Sequence, residues 1–282
     1  MIDELKASYP VVTLCRILEV PRSSYYKVPI IKKGDQVLLA AIEKIILKWP
    51  YYGYRRMTHE LKREGYLVGE TRIRRLLHQI DHSCSVGKAS ISTTDSQHEY
   101  PHYPNLIKHI HIDHLNQVWV ADITYIRFER KFIYLAVILD AFSRGVRGWS
   151  LGRNIDRRLT ISAVEKALAA YPAPEFHHSD QGSQYATPDY TASLPFTRIS
   201  MSAKGRPTEN GIVERFIRTF KEEHIDYTEY DSFPNAVEQI KHWLEIEYMT
   251  ERIHSSLAYL TPFEFETAQV IQKWESPIST PE

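Results

Sequence analysis

Apolar positions recur at helical spacing near the start of the chain. In the stretch YPVVTLCRILEVP they are Val12, Leu14, Ile17 and Leu18. The Glu-Val-Pro sequence at 19–21 ends this pattern, and a second short helix is predicted to begin at Arg22. This rhythm predicts a helix-turn-helix segment over residues 1–30, with Arg22 as a candidate DNA contact.

A second helical unit is predicted over residues 36–81. It comprises the stretches LLAAIEKIILKW, YYGYRRMTHELKREG and, after a turn at 66–69, ETRIRRLLHQI. The apolar residues of the last helix share one face: Ile73, Leu76, Leu77 and Ile80. Arg72, Arg74 and Arg75 lie off that face, where a recognition helix would contact DNA. The pattern fits both a DNA-reading unit and ordinary helical packing.

Residues 82–114 are rich in Ser, Thr, His and Pro and show no apolar period, so we interpret them as a linker. Several of its histidines raise the hypothesis of a zinc site: His98, His102, His109, His111 and His114. No cysteine pair and no convincing helical pair of histidines accompanies them, and zinc prefers such fixed sets. We therefore expect surface histidines.

From about residue 117 the pattern changes to strands. QVWVADITYIRF, FIYLAVILD and RGVRGWSLG are apolar, β-branched or aromatic runs separated by turn sequences. A helix is predicted in DRRLTISAVEKALAAYP, a strand in EFHHSD and another helix in KGRPTENGIVERFIRTFKEE. This order of elements predicts a mixed sheet with helices on its faces.

Composition limits the class of protein. The chain has 282 residues, 43% of them hydrophobic, which is enough for a core in more than one domain. No apolar segment approaches the roughly 20 residues that cross a bilayer, and the start MIDELKASYP lacks the apolar centre of a signal peptide. The two cysteines, Cys15 and Cys84, are too few for a disulfide framework. We expect a cytoplasmic protein with no membrane partner.

The net charge is zero, but the charges are unevenly distributed. Residues 1–80 contain 15 Lys and Arg against 8 Asp and Glu, a net charge of +7, which the rest of the chain balances. This polarity fits a front part that binds phosphates and a rear part that carries carboxylates, and it equally fits a solvated basic surface.

Three carboxylates occupy positions that predict a metal site. Asp122 lies among apolar residues of the first strand, where a charge is costly unless a cation offsets it. Asp180 follows the fourth strand, at the end where sites of open α/β sheets lie. Glu214 projects from the polar side of the last predicted helix. Oxygen ligands alone favour Mg²⁺ or Mn²⁺, and two such ions about 3.5–4 Å apart would suit an in-line displacement on DNA.

Basic and amide side chains surround Glu214 in the sequence. Asn210, Arg218 and Lys221 fall on the same side of its helix. Lys204 and Arg206 lie in the loop before the helix. We predict that these five residues contact DNA, the loop pair through phosphates.

Five stretches, WVADITY, LDAFSR, HHSDQGSQY, MSAKGRPTENGIVERF and RIHSSLAYLTP, together resemble the core of retroviral-integrase-like DDE transposases. The chain is similar to the second reading-frame protein, OrfB, of the insertion-sequence "IS three" family, whose front end resembles YPVVTLCRILEVPRSSYY and YYGYRRMTHELKREGYLVGETRIRRLL. The resemblance covers residues 1 to about 266. It implies an α/β ribonuclease-H-like core at 115–266, with a mixed five-stranded sheet and helices on both faces. Small all-α helix-turn-helix units would precede this core, and 267–282 would form a C-terminal tail.

The resemblance also implies that Asp122, Asp180 and Glu214 are the catalytic, metal-binding triad. The interval of 33 residues between Asp180 and Glu214 is slightly shorter than is usual in the family. Glu209, where relatives usually carry Asp, is the rival third carboxylate, but its place at the helix start suits a cap.

Two residues of the shared motifs are harder to assign. Asp140 ends the second strand in LDAFSR, where we expect a structural or turn role. His254 lies in RIHSSLAYLTP and is a candidate DNA contact, with helix capping or packing as the alternative.

The implied activity is DNA transposition: metal-dependent cleavage and strand transfer at insertion-sequence ends in the bacterial nucleoid. Joining two ends implies a homo-oligomer on DNA. Relatives are often active as a frameshift fusion with an upstream-frame partner protein. The alternative is a DNA-binding regulator with an inactive core, and a plain ribonuclease-H-like nuclease fits the helix-turn-helix front end less well.

Overall fold

The computed structural model describes residues 2–6, 9–25, 33–82, 101–203 and 206–275. The chain divides into two compact units, Met1–Ser85 and Val86–Glu282. Within the described ranges, no helix combines the length and the apolar character needed to cross a membrane.

The first unit is all-helical. Its described helices are α1 (Ile2–Leu5), α2 (Val11–Ile17), α3 (Arg22–Tyr25), α4 (Lys33–Lys48), α5 (Tyr54–Arg63) and α6 (Glu70–Gln79). The predicted break after the first helical pattern is present, since Glu19 takes a positive φ of 53° beyond α2. In α6, Ile73, Leu76 and Leu77 are buried as predicted, and Ile80 is half-buried.

The apolar face predicted for α2 is partly wrong. Val12 and Ile17 are 53% and 68% exposed, whereas Leu14 and Cys15 are buried. A helix of seven residues makes only about two turns, so its apolar spacing fits more than one face. Contacts with α1 and α3 determine which face is covered.

The second unit contains the predicted five-stranded mixed sheet. Its strands are β1 (Val118–Phe128), β2 (Lys131–Asp140), β3 (Val146–Gly152), β4 (Phe176–Ser179) and β5 (Arg198–Met201). The spatial order is β3-β2-β1-β4-β5. Strands β1, β2 and β3 are antiparallel neighbours, while β4 runs parallel to both β1 and β5.

Helices cover both faces of this sheet. One face packs on α7 (Arg157–Ala170), α8 (Ser183–Ala186) and α9 (Pro188–Ala192). The other packs on α10 (Gly211–Glu223), α11 (Phe233–His242) and the π-helix Trp243–Glu251 that continues it. Helix α12 (Pro262–Glu275) follows. Short 3-10 turns span Pro207–Asn210, Ile225–Tyr227 and Ser255–Leu257.

The structure adds detail at both ends of the predicted core. Residues 83–100 of the predicted linker lie outside the described residues, but 101–114 pack on the core through apolar side chains. These are Leu106, Ile107, Ile110 and Ile112. The predicted boundary between core and tail at 266/267 falls inside α12.

Asp140 has the structural role expected of it. Its fully buried carboxylate accepts hydrogen bonds from the backbone N–H groups of Asn116, Phe142 and Ser143, at 2.7, 3.0 and 2.8 Å. Its Oδ2 lies 3.4 Å from the Arg147 guanidinium, which also donates to Glu266 of α12 at 2.8 Å. This buried network joins the end of β2 to the C-terminal helix.

Candidate active site

Asp122 and Asp180 are brought together by strand register. The parallel strands β1 and β4 pair at Val118–Val120 and Phe176–His178. Asp122 and Asp180 each lie two residues beyond the last pair, Val120 with His178, so the alternation of side chains directs both toward the same face. This is the face on which α10 packs, through Val213, Phe216 and Phe220.

The backbone around the two aspartates holds their carboxylates. Asp122 Oδ1 accepts a hydrogen bond from the N–H of Ile123 at 2.7 Å. Asp180 Oδ1 accepts one from the N–H of Gly182 at 2.9 Å. A Cβ atom at Gly182 would lie 2.9 Å from that same oxygen, so a larger residue would displace the carboxylate. Glycine therefore permits the close approach.

Glu214 lies on α10, close enough to both aspartates for the charges to affect one another. The buried residues of this helix set its apolar side against the sheet, which leaves Glu214 half-buried beside the strand ends. Burial raises the pKa of Glu214; the Arg218 charge lowers it, and the Asp180 charge raises it. The helix thus supplies a third carboxylate and a nearby cation.

Asp122 is the point at which the three carboxylates interact. Burial raises the pKa of Asp122 well above its usual value, and the negative charge of Asp180 raises it further. Glu214 acts in the same direction, while the hydrogen bond from Ile123 and the charge of Lys221 oppose it. The structure therefore brings together all three residues of the predicted triad in one electrostatic environment. Within the described ranges, no three His, Cys, Asp or Glu side chains form a closed cluster around a metal position.

Glu209, the rival third carboxylate, is tied into the neighbouring loop. Its Oε2 accepts hydrogen bonds from the N–H of Ala203 and the amide of Asn105, both at 2.9 Å. These bonds, with a smaller contribution from the Arg206 charge, lower the pKa of Glu209. The Glu209 side chain therefore does not form the expected helix cap. Its carboxylate accepts hydrogen bonds from Ala203 and Asn105 instead, which fixes the loop before the helix.

Lys221 and Asn210 both lie close to the part of β1 that carries Asp122. Lys221 is half-buried, its Nζ 4.4 Å from the centre of the Tyr125 ring; burial lowers its pKa, and the Asp122 charge opposes that change. Asn210 is buried and donates to the carbonyl of Ala121, next to Asp122, at 3.2 Å. The predicted DNA contact of Asn210 does not fit this burial, because its amide faces β1.

His254 is likewise buried, which does not fit a direct DNA contact. Its ring packs edge-to-face on Tyr248 with centroids 4.9 Å apart, beside the Arg252 guanidinium. Arg252 forms two hydrogen bonds with Glu223 at the end of α10, at 2.5 and 2.7 Å. The packing alternative for the RIHSS motif describes this arrangement.

The remaining predicted contacts of the core differ in position. Arg218 is exposed on α10, and Arg206 is exposed with its Nη1 3.6 Å from Glu209. Lys204 lies outside the described residues.

Arg72 and Arg75 of the first unit have a role that the sequence pattern does not predict. Both pair with the buried carboxylate of Asp35 in α4, each at 2.7 Å, and their side chains remain 40% and 42% exposed. Arg74 is exposed, with its guanidinium 5.6 Å from the Tyr54 ring, and Arg22 is exposed on α3. The sequence feature that could have predicted this pairing is Asp35 itself, the one acidic residue in the first turn of the apolar helix α4.

Tyr185 is a site residue that the sequence reasoning missed. Its hydroxyl is buried and has no hydrogen-bond partner among the described residues. Burial raises its pKa well above the usual value, and the nearby charges of Asp122 and Asp180 raise it further. Its place five residues after Asp180, in the same polar motif, was the available signal.

Comparison with known proteins finds family matches in both units of the chain. The family described as "Integrase core domain" matches residues 112–207, and a second family with that description matches 197–262. The family described as "HTH-like domain" matches 33–85. The transposase InsF for insertion sequence IS3A of Escherichia coli is 30% identical over 94% of this chain and 96% of the relative. The chain belongs to the integrase-core transposases of the IS3 family.

Two further similarities concern the whole chain and its core. The insertion element IS600 31 kDa protein of Shigella sonnei is 32% identical over 89% of this transposase and 97% of the relative. The catalytic core of HTLV-2 integrase, solved in complex with magnesium, has 20% identity and a TM-score of 0.44, covering 54% of this chain and 97% of that one. Membership of the transposase family shows that the chain acts on DNA as a polynucleotidyl transferase. Its core has the predicted mixed five-stranded sheet with helices on both faces.

Proposed function

We propose that Asp122, Asp180 and Glu214 are the catalytic triad of this transposase and hold its divalent metal ions. The observation that carries the proposal is the β1–β4 register, which directs Asp122 and Asp180 toward the face on which α10 packs with Glu214. In agreement, the charges of both other carboxylates raise the pKa of Asp122. Three mutually repelling carboxylates require positive charge nearby before all three can ionise. The hydrogen bonds that engage Glu209 elsewhere support Glu214 as the third member.

The donor set fits Mg²⁺ or Mn²⁺, because all three side chains offer oxygen and these hard cations prefer oxygen ligands. Two ions bound there would polarise the scissile phosphate and activate the attacking water or DNA 3′-hydroxyl. The protein orients the ligands: backbone N–H groups hold one oxygen each of Asp122 and Asp180. Lys221 and Arg218 supply positive charge near the DNA backbone.

The substrate is the pair of insertion-sequence ends, followed by target DNA. In cleavage, water attacks phosphorus as the P–O3′ bond breaks, which leaves a DNA 3′-hydroxyl. In strand transfer, that 3′-hydroxyl forms a new P–O bond with the target phosphate as the target's own P–O3′ bond breaks and its 3′-oxygen leaves as a hydroxyl. We propose that the first unit binds DNA through exposed basic side chains such as Arg74, and that Arg206 contacts phosphate. Joining two ends requires an oligomer on DNA, with an upstream-frame protein as a further partner.

The test is cleavage and strand transfer on labelled DNA that carries the element's own ends, with Mg²⁺ or Mn²⁺. Glu214→Gln and Asp180→Asn are expected to abolish joined products, because each removes a ligand charge while keeping the side-chain volume. Glu209→Gln is the matched control and should retain joining, since an amide oxygen can still accept from Ala203 and Asn105.

Joining that survives in Glu214→Gln but is lost in Glu209→Gln would overturn the choice of third carboxylate. If the wild-type chain binds DNA without joining it, the assay is repeated with the upstream-frame protein. Absence of metal-dependent products there as well would support an inactive regulator.

A further inference from the structure

The hairpin of β1 and β2 exposes aromatic rings on one face. Side chains on its other face are buried, among them Ile126, Phe128 and Ile133. On the exposed face Tyr125 and Tyr134 are directly paired and half-buried, and Phe132 is 49% exposed. We call these three residues the hairpin aromatic face.

The rings form a continuous surface rather than isolated exposed side chains. Tyr125 and Phe132 meet edge-to-face with centroids 5.3 Å apart, and Phe132 lies two residues from Tyr134 on β2, on the same face. Beyond Val120, the described strand partner of β1 is β2 alone, so this part of β1 is a sheet edge. Single exposed aromatics need no explanation, but a group at a sheet edge indicates a binding surface.

Positive charge surrounds the hairpin aromatic face. Arg127 is exposed and directly opposite Phe132 in the strand pairing. Arg130 and Lys131 are exposed at the turn, and Glu129 is the one acid of that turn. Lys221 of α10 lies over the Tyr125 ring at 4.4 Å. Aromatic rings bordered by Arg and Lys are the combination with which proteins stack unpaired bases and hold the adjoining phosphates.

The distance between the hairpin aromatic face and Asp122 indicates which nucleotides could contact the rings. Tyr125 follows Asp122 by three residues on β1, about 10 Å along the strand at about 3.3 Å per residue, and its side chain lies on the opposite face of the sheet. Lys221 connects the two around the open edge of β1, because its Nζ lies over the Tyr125 ring and the Asp122 charge acts on it. The length along β1 matches about three base steps of 3.4 Å along a DNA strand. Inside a duplex each base face is covered by the neighbouring base pair, so an internal base can stack on a protein ring only when it is unpaired.

We propose that the hairpin aromatic face is a subsite for unpaired bases of the DNA, within about three nucleotides of the reacting phosphate. This inference rests on the proposed function, because it uses Asp122 to place the phosphate. Phe132 and Tyr125 supply the stacking surface, and Arg127 and Lys221 neutralise the strand that carries the bases. A fully paired duplex would offer these rings no exposed base face on which to stack.

The test compares two DNA probes with the full chain, without divalent metal so that no chemistry occurs. One is a blunt duplex of about 20 base pairs, and the other carries about three additional unpaired nucleotides at its 3′ end. Fluorescence anisotropy gives the affinity of each probe. The ratio of the two affinities reports the unpaired nucleotides alone, because the binding of the duplex part is common to both probes. Phe132→Ala is expected to lower the preference for the unpaired end about tenfold, and Phe132→Trp to preserve it.

Phe196→Ala is the matched control, because Phe196 is 93% exposed and lies between α9 and β5, away from the hairpin. Equal preference in Phe132→Ala, Phe196→Ala and wild type would overturn the inference. So would equal weakening on both probes, which would indicate a duplex contact, or a changed sedimentation coefficient with unchanged preference, which would indicate a protein interface. The result is independent of the triad, since a strand-transfer failure in Asp180→Asn does not enter a metal-free binding ratio.

Discussion

The Tyr185 hydroxyl is a single buried group that lowers the stability of the fold. It is buried without a partner among the described residues, beside the charges of Asp122 and Asp180. A buried hydroxyl that makes no hydrogen bond destabilises the fold by about 1–3 kcal/mol. Tyr185→Phe is therefore expected to raise the free energy of unfolding by about 1 kcal/mol, measured by urea denaturation.

The neighbouring Tyr190 provides the opposite case for comparison. Its hydroxyl lies 2.8 Å from Nε2 of buried His177, so Tyr190→Phe should lower stability by about 1 kcal/mol. A loss of stability in Tyr185→Phe similar to that in Tyr190→Phe would mean that the Tyr185 hydroxyl does have a hydrogen-bond partner in the folded chain.

His224 makes stability depend on pH. Burial, and then the charge of His242, lower its pKa to about 4 from a usual value of 6.5. Between pH 6.5 and pH 4, His224 is protonated in the unfolded chain and neutral in the folded chain. The stability that depends on neutral His224 is therefore fully present above pH 6.5 and declines as pH falls toward 4. The loss reaches about 3 kcal/mol at pH 4.

His224→Gln is therefore expected to flatten the dependence of unfolding free energy on pH between 6.5 and 4. Other buried groups titrate in this range, so the measured quantity is the difference between variant and wild type at each pH. His109→Gln, at an exposed position, is the control and should follow the wild-type curve. Parallel curves for all three proteins would show that His224 is accessible to protons in the folded state.

At the scale of elements, the contact between α4 and α6 depends on one carboxylate. Asp35 is fully buried and accepts hydrogen bonds from both Arg72 and Arg75. Asp35→Asn removes the charge that holds the two guanidinium groups. Because both arginines remain partly exposed, water screens the loss, and we expect a cost of about 1–2 kcal/mol. Faster hydrogen exchange of amides within 33–82 measures it.

Glu43→Gln tests the specificity of that effect, since Glu43 is exposed on the same helix. It should leave hydrogen exchange unchanged. Equal exchange in Asp35→Asn and wild type would mean that apolar packing alone joins α4 to α6.

At the scale of the whole second unit, Glu266 connects the C-terminal helix to the sheet. It accepts hydrogen bonds from Arg147 at 2.8 Å and from the Ser143 hydroxyl at 2.6 Å. Glu266→Ala leaves the buried Arg147 with Asp140 at 3.4 Å as its remaining acid, so we expect a loss of about 2 kcal/mol in thermal or urea unfolding. Ala268→Gln, at an exposed position of α12, should stay within about 0.5 kcal/mol of wild type. A similar change in both variants would mean that α12 is stabilised by general helix packing.

The sequence predicted those features that depend on neighbouring residues. The alternation in β1 and the apolar face of α10 predict where Asp122 and Glu214 point, because each pattern lies within one element. The burial of Asn210 and His254 was not predictable in this way. Asn210 bonds Ala121, 89 positions earlier in the chain, and His254 packs on residues of the π-helix. Such contacts depend on tertiary packing, which periodicity does not encode.

The short ladder between β1 and β4 determines how this enzyme can change without losing its centre. Three residue pairs between β1 and β4 align Asp122 with Asp180, so the segment from β2 to the end of α7, which separates the two strands in the sequence, takes no part in that pairing. Lengthening a surface loop in that interval would leave the two acids in place. Inserting one residue between His178 and Asp180 would turn the second acid to the opposite side of the sheet. The position of an insertion therefore matters more than its length. A long insertion in a surface loop keeps the two carboxylates together, whereas one extra residue after His178 separates them.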